Sequence, residues 1–232
     1  MPTTLAETRP ATDSTIEPCV VLHDVDWSGY ESILKIRGEH PVPRMVYLDG
    51  SLLLMSPSYP HERLAERLGW FIKVIVEELD VPCIASGSTT FRRGSEKGGV
   101  EGDQTYYLAS VVRVRGKTEI DLEIDPPPDL AVEVVWTHKA DAAVEVYRRL
   151  QVPEVWVCDG RALTILTLQA SGQYAPAESS LAVPVSAAEI QEWAAERPED
   201  DDTAWAKAVR RWVREAVVPR RRPEIKIEPN RD

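Results

Sequence analysis

The alternation of apolar and polar positions divides the chain into elements before composition is considered. In "HERLAERLGWFIKVIVEEL", Leu64, Leu68, Phe71, Ile72, Ile75 and Leu79 recur at helical intervals, which predicts an amphipathic helix over 61–79. "DVDWSGYESILKI" places Trp27, Tyr30, Ile33 and Leu34 on one stripe and suits a shorter helix. "RMVYLDGSLLLMS" holds two strand-like runs joined by Asp49-Gly50, and "PEVWVCDGRALTILTLQ" repeats the pattern around Asp159-Gly160. Such dipeptides tolerate the left-handed backbone of a tight hairpin turn. Residues 83–93 read as one strand, "GSEKGG" as a turn and "VEGDQTYYL" as another strand.

A polar stretch then leads into a strand over 129–135, and "ADAAVEVYRRL" is a helix with Ala142, Val146, Tyr147 and Leu150 inward. After Pro184, Ser186 and Glu189 form a capping box, and "TAWAKAVRRWVREAV" predicts a last helix with Trp205, Val209, Trp212 and Ala216 on one face. Helices and strands in this mixed order predict an α/β or α+β layer with a central mixed sheet. The expected organisation is a disordered leader over 1–18, a domain over 19–184, and a helical extension with a basic tail over 185–232.

Composition narrows the class. An apolar fraction of 43% in 232 residues allows one large core, and no apolar run approaches the ~18 residues needed to span a bilayer. Cys19, Cys83 and Cys158 are odd in number and lack CxxC spacing, so a reducing cytoplasm is expected rather than a disulfide framework. The net charge of -11 argues against a surface coated with phosphate-binding groups, though the cation-rich stretch from Lys207 to Lys226 reads as a solvated helix end and tail or as a phosphate-steering arm.

One short run changes the picture. In "DPPPDLAVEV" the strand alternation turns Asp129, Ala131, Glu133 and Val135 to one face and Leu130, Val132 and Val134 to the other, so a carboxylate, Glu133, sits among apolar neighbours. In "VEGDQTYYL", Glu101 and Asp103 share a face by the same period. If the two strands pair, Asp103 and Glu133 meet across the ladder, about 5 Å apart. Two carboxylates that close repel unless one protonates or a cation lies between them. A hard divalent ion such as Mg²⁺ or Mn²⁺ answers that need and suits hydrolysis of a phosphodiester. An exposed edge position for Glu133, or a salt bridge to an arginine, answers it equally.

"RMVYLDGSLLLMSPSYPHERL", "STTFRRG", "VEGDQTYYL", "IDPPPDLAVEV" and "YRRLQVPEVWVCDG" occur in this order, and together they resemble the Uma-two family of endonuclease-like proteins over roughly residues 25 to 175. The resemblance implies a restriction-endonuclease-like (PD-(D/E)XK) fold: a central mixed β-sheet flanked by helices. It implies a Mg- or Mn-dependent nuclease acting on nucleic acid, DNA rather than RNA, and fold relatives commonly dimerise. Carried over by position, Asp103 matches the metal-binding aspartate and Glu133 the second acid. Glu62, in a His61-Glu62 pair, is a third candidate ligand; Glu101 and Asp129 are supporting acids, Asp129 lying at the start of its strand. Arg92 and Arg93 are candidates to contact backbone phosphate or to neutralise the acidic cluster. The sequence departs from the pattern where catalysis needs a lysine: Val135 lies two residues past Glu133, and Ala143 stands where many relatives carry one. Lys139, one helical turn before Ala143, is the remaining candidate to activate water. A catalytically lapsed binding or assembly module is therefore the rival reading.

Overall fold

The computed structural model describes residues 17–135, 140–195 and 201–220. Two sheets organise the chain. The smaller is five-stranded and antiparallel throughout: β1 (Cys19–Leu22), β3 (Ser51–Met55), β2 (Arg44–Leu48), β6 (Gly98–Glu101) and β5 (Thr90–Arg93), in that spatial order. The larger is six-stranded: β11 (Tyr174–Ala177), β10 (Leu163–Leu168), β9 (Glu154–Cys158), β8 (Leu130–Val134), β7 (Gln104–Tyr107) and β4 (Ile84–Ala85). Only β8 and β9 run parallel, so this sheet is mixed, as expected. The sequence reading foresaw one sheet, and the second is an addition to it.

The helices are α1 (Trp27–Arg37), α2 (Tyr59–Glu78), the short α3 (Val111–Val114), α4 (Ala140–Arg149), α5 (Ala187–Ala194) and α6 (Asp202–Trp212). Asp26, Ser58, Ser186 and Asp201 cap four of them by accepting a backbone N–H, and Ser186 with Glu189 completes the expected capping box. The α2 stripe buries Leu68, Phe71, Ile72 and Ile75 against Leu130, Val132, Val134 and Trp156 of the larger sheet. On the opposite face of that sheet, Ala131 and Val155 meet Ala143, Val146 and Tyr147 of α4, together with Phe91 and Val100 of the smaller sheet. The inward alanine of α4 is thus Ala143 and not Ala142, which is only partly buried. On the far face of the smaller sheet, Tyr30 of α1 stacks on Tyr47 of β2 with ring centroids 4.7 Å apart.

Two predicted strands are each split between the sheets. Residues 83–93 supply β4 to the larger sheet and β5 to the smaller one. "VEGDQTYYL" breaks at Gly102-Asp103, so that β6 closes in one sheet and β7 opens in the other. Each segment reads as one continuous extended run, and such a run does not reveal a change of partner.

The C-terminal elements join the main core. Trp205, Val209, Val213 and Val217 are buried in the same cluster as the α2 stripe, and Trp212 stacks on Phe71 at 5.9 Å. Arg210 and Arg214 both bind Glu78, and Arg220 binds Glu189. These three arginines are engaged with acids of α2 and α5, as a helix end packed on its neighbours would be. Arg221, Arg222 and Lys226 lie outside the described residues, as do residues 1–16 of the expected leader. Pro18, placed in that leader, accepts a hydrogen bond from Ser56 N. Among the described residues no helix is long and apolar enough to cross a membrane.

Candidate active site

β7 and β8 pair antiparallel with Gln104 opposite Val132 and Thr105 opposite Ala131. One step further along that register, at the break between the sheets, Asp103 falls opposite Glu133. The backbone locks the meeting: Val134 N donates to Asp103 Oδ2 at 2.6 Å. Both acids are buried, at 4% and 9% exposure.

Their partners differ. Asp103 Oδ1 accepts from His61 Nε2 at 2.7 Å and from Arg44 Nη1. The other ring nitrogen of His61, Nδ1, faces Glu17 Oε1 at 2.6 Å, close in charge but without hydrogen-bond alignment. Glu133 Oε1 accepts from the Tyr147 hydroxyl at 2.5 Å. Burial pushes the Glu133 carboxyl up to about 7, against the opposing pull of the Tyr147 hydrogen bond and the Arg44 charge. The same burial, reinforced by the neighbouring carboxylate, raises the Tyr147 phenol well above its ordinary range, so it stays a donor.

Arg44 links the pair to a third acid. It opens β2 on the face shared with Val46 and Leu48, which points toward the junction of the sheets, and its Nη2 reaches Glu62 Oε1 at 2.8 Å. Glu62 lies in the first turn of α2 with its side chain half exposed, where a carboxylate also suits the helix dipole.

The other expected acids sit elsewhere. Glu101 belongs to the smaller sheet, on the face turned to α1, and does not share a face with Asp103; the sheet change at residue 102 separates them. Arg37 grips both of its oxygens, at 2.5 and 2.9 Å, while Met45 N and the Thr90 hydroxyl also donate to it. Asp129 accepts from Leu108 N, Ser110 N and the Ser110 hydroxyl, and so shapes the turn that follows β7. Arg92 pairs with Glu31 on the surface, and Arg93 donates to the Leu122 carbonyl. The cation that neutralises the cluster is Arg44, which the sequence reading had not singled out. Lys139 lies outside the described residues. Ala143 is buried one helical turn before Tyr147, with no polar group to offer.

Gly102 explains how Tyr147 comes so close to Glu133. A Cβ there would overlap the Tyr147 hydroxyl and stand 3.1 Å from Glu133 Oε1. The absent side chain leaves room for the tyrosine to reach its carboxylate.

A divalent cation fits the chemistry of this donor set on one condition. Asp103, Glu133 and Glu62 offer hard oxygens, and Glu133 is a buried carboxylate held near the edge of ionisation. The condition is that Arg44 gives up Asp103, because its guanidinium and a metal ion would share the same oxygen. Among the described residues no group of three or more His, Cys, Asp and Glu side chains is already arranged as a metal cage.

Comparison with known proteins agrees with the architecture. The chain is similar to a solved structure described as a putative nuclease belonging to DUF820 from Anabaena variabilis ATCC 29413, with a TM-score of 0.50 and 15% identity over 71% of this chain and 97% of that one. At this identity the likeness speaks for the fold. No curated protein matches the chain. The family model Uma2, described as a putative restriction endonuclease, matches residues 27–196, a span that holds every strand of both sheets except β1 and includes Asp103, Glu133, His61 and Tyr147. The chain, a mixed α/β protein of restriction-endonuclease-like fold, belongs to the Uma2 family.

Proposed function

We propose that this chain is a metal-dependent endonuclease that hydrolyses nucleic-acid phosphodiester bonds, with Mg²⁺ or Mn²⁺ held by Asp103 and Glu133. One observation carries the reading: in a nuclease-family fold, two acids from neighbouring strands face each other where the sheets part. A bound divalent ion would polarise the phosphoryl group and lower the pKa of the attacking water. The chain's own residues do the positioning. Val134 N and His61 aim the Asp103 carboxylate, and Tyr147 fixes one oxygen of Glu133. Glu62 stands as a third ligand from the start of α2, while Lys139 is the assigned water activator. Glu101 and Asp129 support the frame rather than the ion, since their hydrogen bonds are spent on backbone and arginine. We favour DNA over RNA as substrate and a cytoplasmic setting, with a homodimer as the assembly to test for.

The test is cleavage of supercoiled DNA, single-stranded DNA and RNA with Mg²⁺ or Mn²⁺. The wild type is expected to cut DNA, and Asp103→Asn and Glu133→Gln to lose the activity while keeping the fold by circular dichroism. Equal cleavage by wild type and both variants would falsify the assignment.

A second reading rests on a specific observation: Val135 and Ala143 carry no ammonium group, and Asp103 already holds a guanidinium. A lapsed nuclease used for binding would cut none of these substrates and give no heat on titration with Mn²⁺.

A further inference from the structure

Arg44 is held differently from Arg37, the other partly buried arginine beside it. Arg37 is fastened by both oxygens of a single carboxylate, Glu101, which is only 2% exposed. Arg44 instead spans two acids on different elements, one buried (Asp103) and one half exposed (Glu62). Beside it opens a cleft of about 260 Å³, lined also by Arg37, His40, Ser88, Thr89 and Glu101. The guanidinium therefore has an anchor that solvent can compete for, and Arg44 borders open space.

Its charge also falls short of what surrounds it. Asp103 and Glu62 are two carboxylates that contact the single positive charge of Arg44, with the Glu133 carboxyl beside them. An arginine with this surplus of acid is a weaker counter-ion than a divalent cation on the same oxygens, and the two cannot share Asp103 Oδ1 because like charges at contact repel.

We propose that Arg44 is a displaceable counter-ion: it holds the acids together in the metal-free protein, competes with the divalent cation for Asp103, and is released toward the neighbouring cleft when the cation binds. This rests on the reading of Asp103 and Glu133 as cation ligands. By linkage, whatever factor the cation costs the Arg44–Asp103 contact, Arg44 costs the cation.

The experiment is calorimetric titration of the full chain with MnCl₂, alongside thermal unfolding in EDTA and in Mn²⁺. It compares wild type, Arg44→Gln, Arg44→Lys and Asp103→Asn. Removing the competitor is expected to tighten Mn²⁺ binding in Arg44→Gln by roughly tenfold or more, the usual span of coupling between competing ligands. In EDTA that variant unfolds at a lower temperature than wild type, and Mn²⁺ narrows the gap. Arg44→Lys keeps the charge but cannot fork between two acids, so it falls between the two; it decides the matter if Arg44→Gln does not fold. Unchanged or weaker Mn²⁺ binding in the Arg44 variants, with wild type binding and Asp103→Asn not, overturns the displacement and leaves the metal site standing. No Mn²⁺ heat in wild type or either Arg44 variant removes the metal site and the displacement together.

Discussion

Tyr147 of α4 reaches Glu133 of β8 across the space that a side chain at residue 102 would fill: its hydroxyl lies 2.5 Å from Glu133 Oε1 and overlaps the place where a Cβ on Gly102 would stand. Helix and strand thus meet through one oxygen, and the loop between β6 and β7 is shaped to let them.

Gly102→Ala forces that oxygen aside in a fully buried place, and overpacking of this kind typically costs ~1–3 kcal/mol. Tyr147→Phe removes the clashing atom along with one hydrogen bond. Chemical denaturation of the two single variants and the double variant is expected to show coupling, with Gly102→Ala less damaging when Tyr147→Phe is already present. Strict additivity would mean that the two residues do not touch.

Glu133→Gln removes a buried carboxylate while leaving an oxygen for the Tyr147 hydroxyl. Burying a charge costs more than burying an amide. The metal-free variant is therefore expected to unfold above the wild type at pH 8, a rise read directly by differential scanning calorimetry. A functional group that destabilises its own fold gives this signature; a lower melting temperature would contradict the charge argument.

Asp129→Ala is expected to separate scaffold from site. It deletes the acceptor for Leu108 N, Ser110 N and the Ser110 hydroxyl, and leaving such donors unmet typically costs ~1–3 kcal/mol. Stability to urea should drop by that order while Mn²⁺ affinity stays at the wild-type value. A matching loss of affinity would move Asp129 into the cation site.

The clamp between Arg220 and Glu189 is expected to fail in acid. The Arg220 guanidinium, with help from the Ser186 backbone and hydroxyl, holds the Glu189 carboxyl down at about 2, well below its value of 4.5 in an unfolded chain. A lowered folded pKa stabilises above the unfolded value, and that contribution is lost as pH falls from about 4.5 through about 2. Glu189→Gln should flatten the fall in melting temperature over that window and lower stability at pH 7. An unchanged acid profile would show that the pair contributes nothing.

Trp205→Ala tests how firmly the last helix is seated. Trp205 is 4% exposed, meets Trp70 edge-on and carries the Arg67 guanidinium 4.6 Å above its ring. Deleting a core tryptophan typically costs ~3–5 kcal/mol, enough to show as a clear shift of the urea midpoint. A change under ~1 kcal/mol would mean that the helix sits on the domain without sharing its core.

What the sequence discloses follows from how local each signal is. The hairpins at Asp49-Gly50 and Asp159-Gly160 were readable because positive φ is a demand on one or two residues, and Asp49, Gly50 and Gly160 adopt it. Glu133 was readable because an acid amid buried strand positions breaks its own pattern. The His61-Glu62 pair gave half its answer. Successive helix residues point about 100° apart, so one looked inward and one outward, and the inward member is the histidine, at 0% exposure. Tyr147 was assigned to the core stripe correctly, yet its polar tip, which binds Glu133, carries no sequence mark. Arg44 lies 59 positions from Asp103, and nothing local links them. The sheet change at Gly102-Asp103 was hidden for the same reason, since partner choice belongs to the tertiary fold.

The seating of the final helices has a consequence for synthesis. The back of α2 is covered by residues 205–217, made well over a hundred positions later. While the ribosome is still working through the intervening strands, Trp70 and Phe71, which meet Trp205 and Trp212 in the finished fold, lack that cover, an apolar surface of the kind that invites chaperones or aggregation. The nascent chain can complete this core only after those turns have emerged, so a chain stalled or cut short before them carries an adhesive surface in place of a closed core.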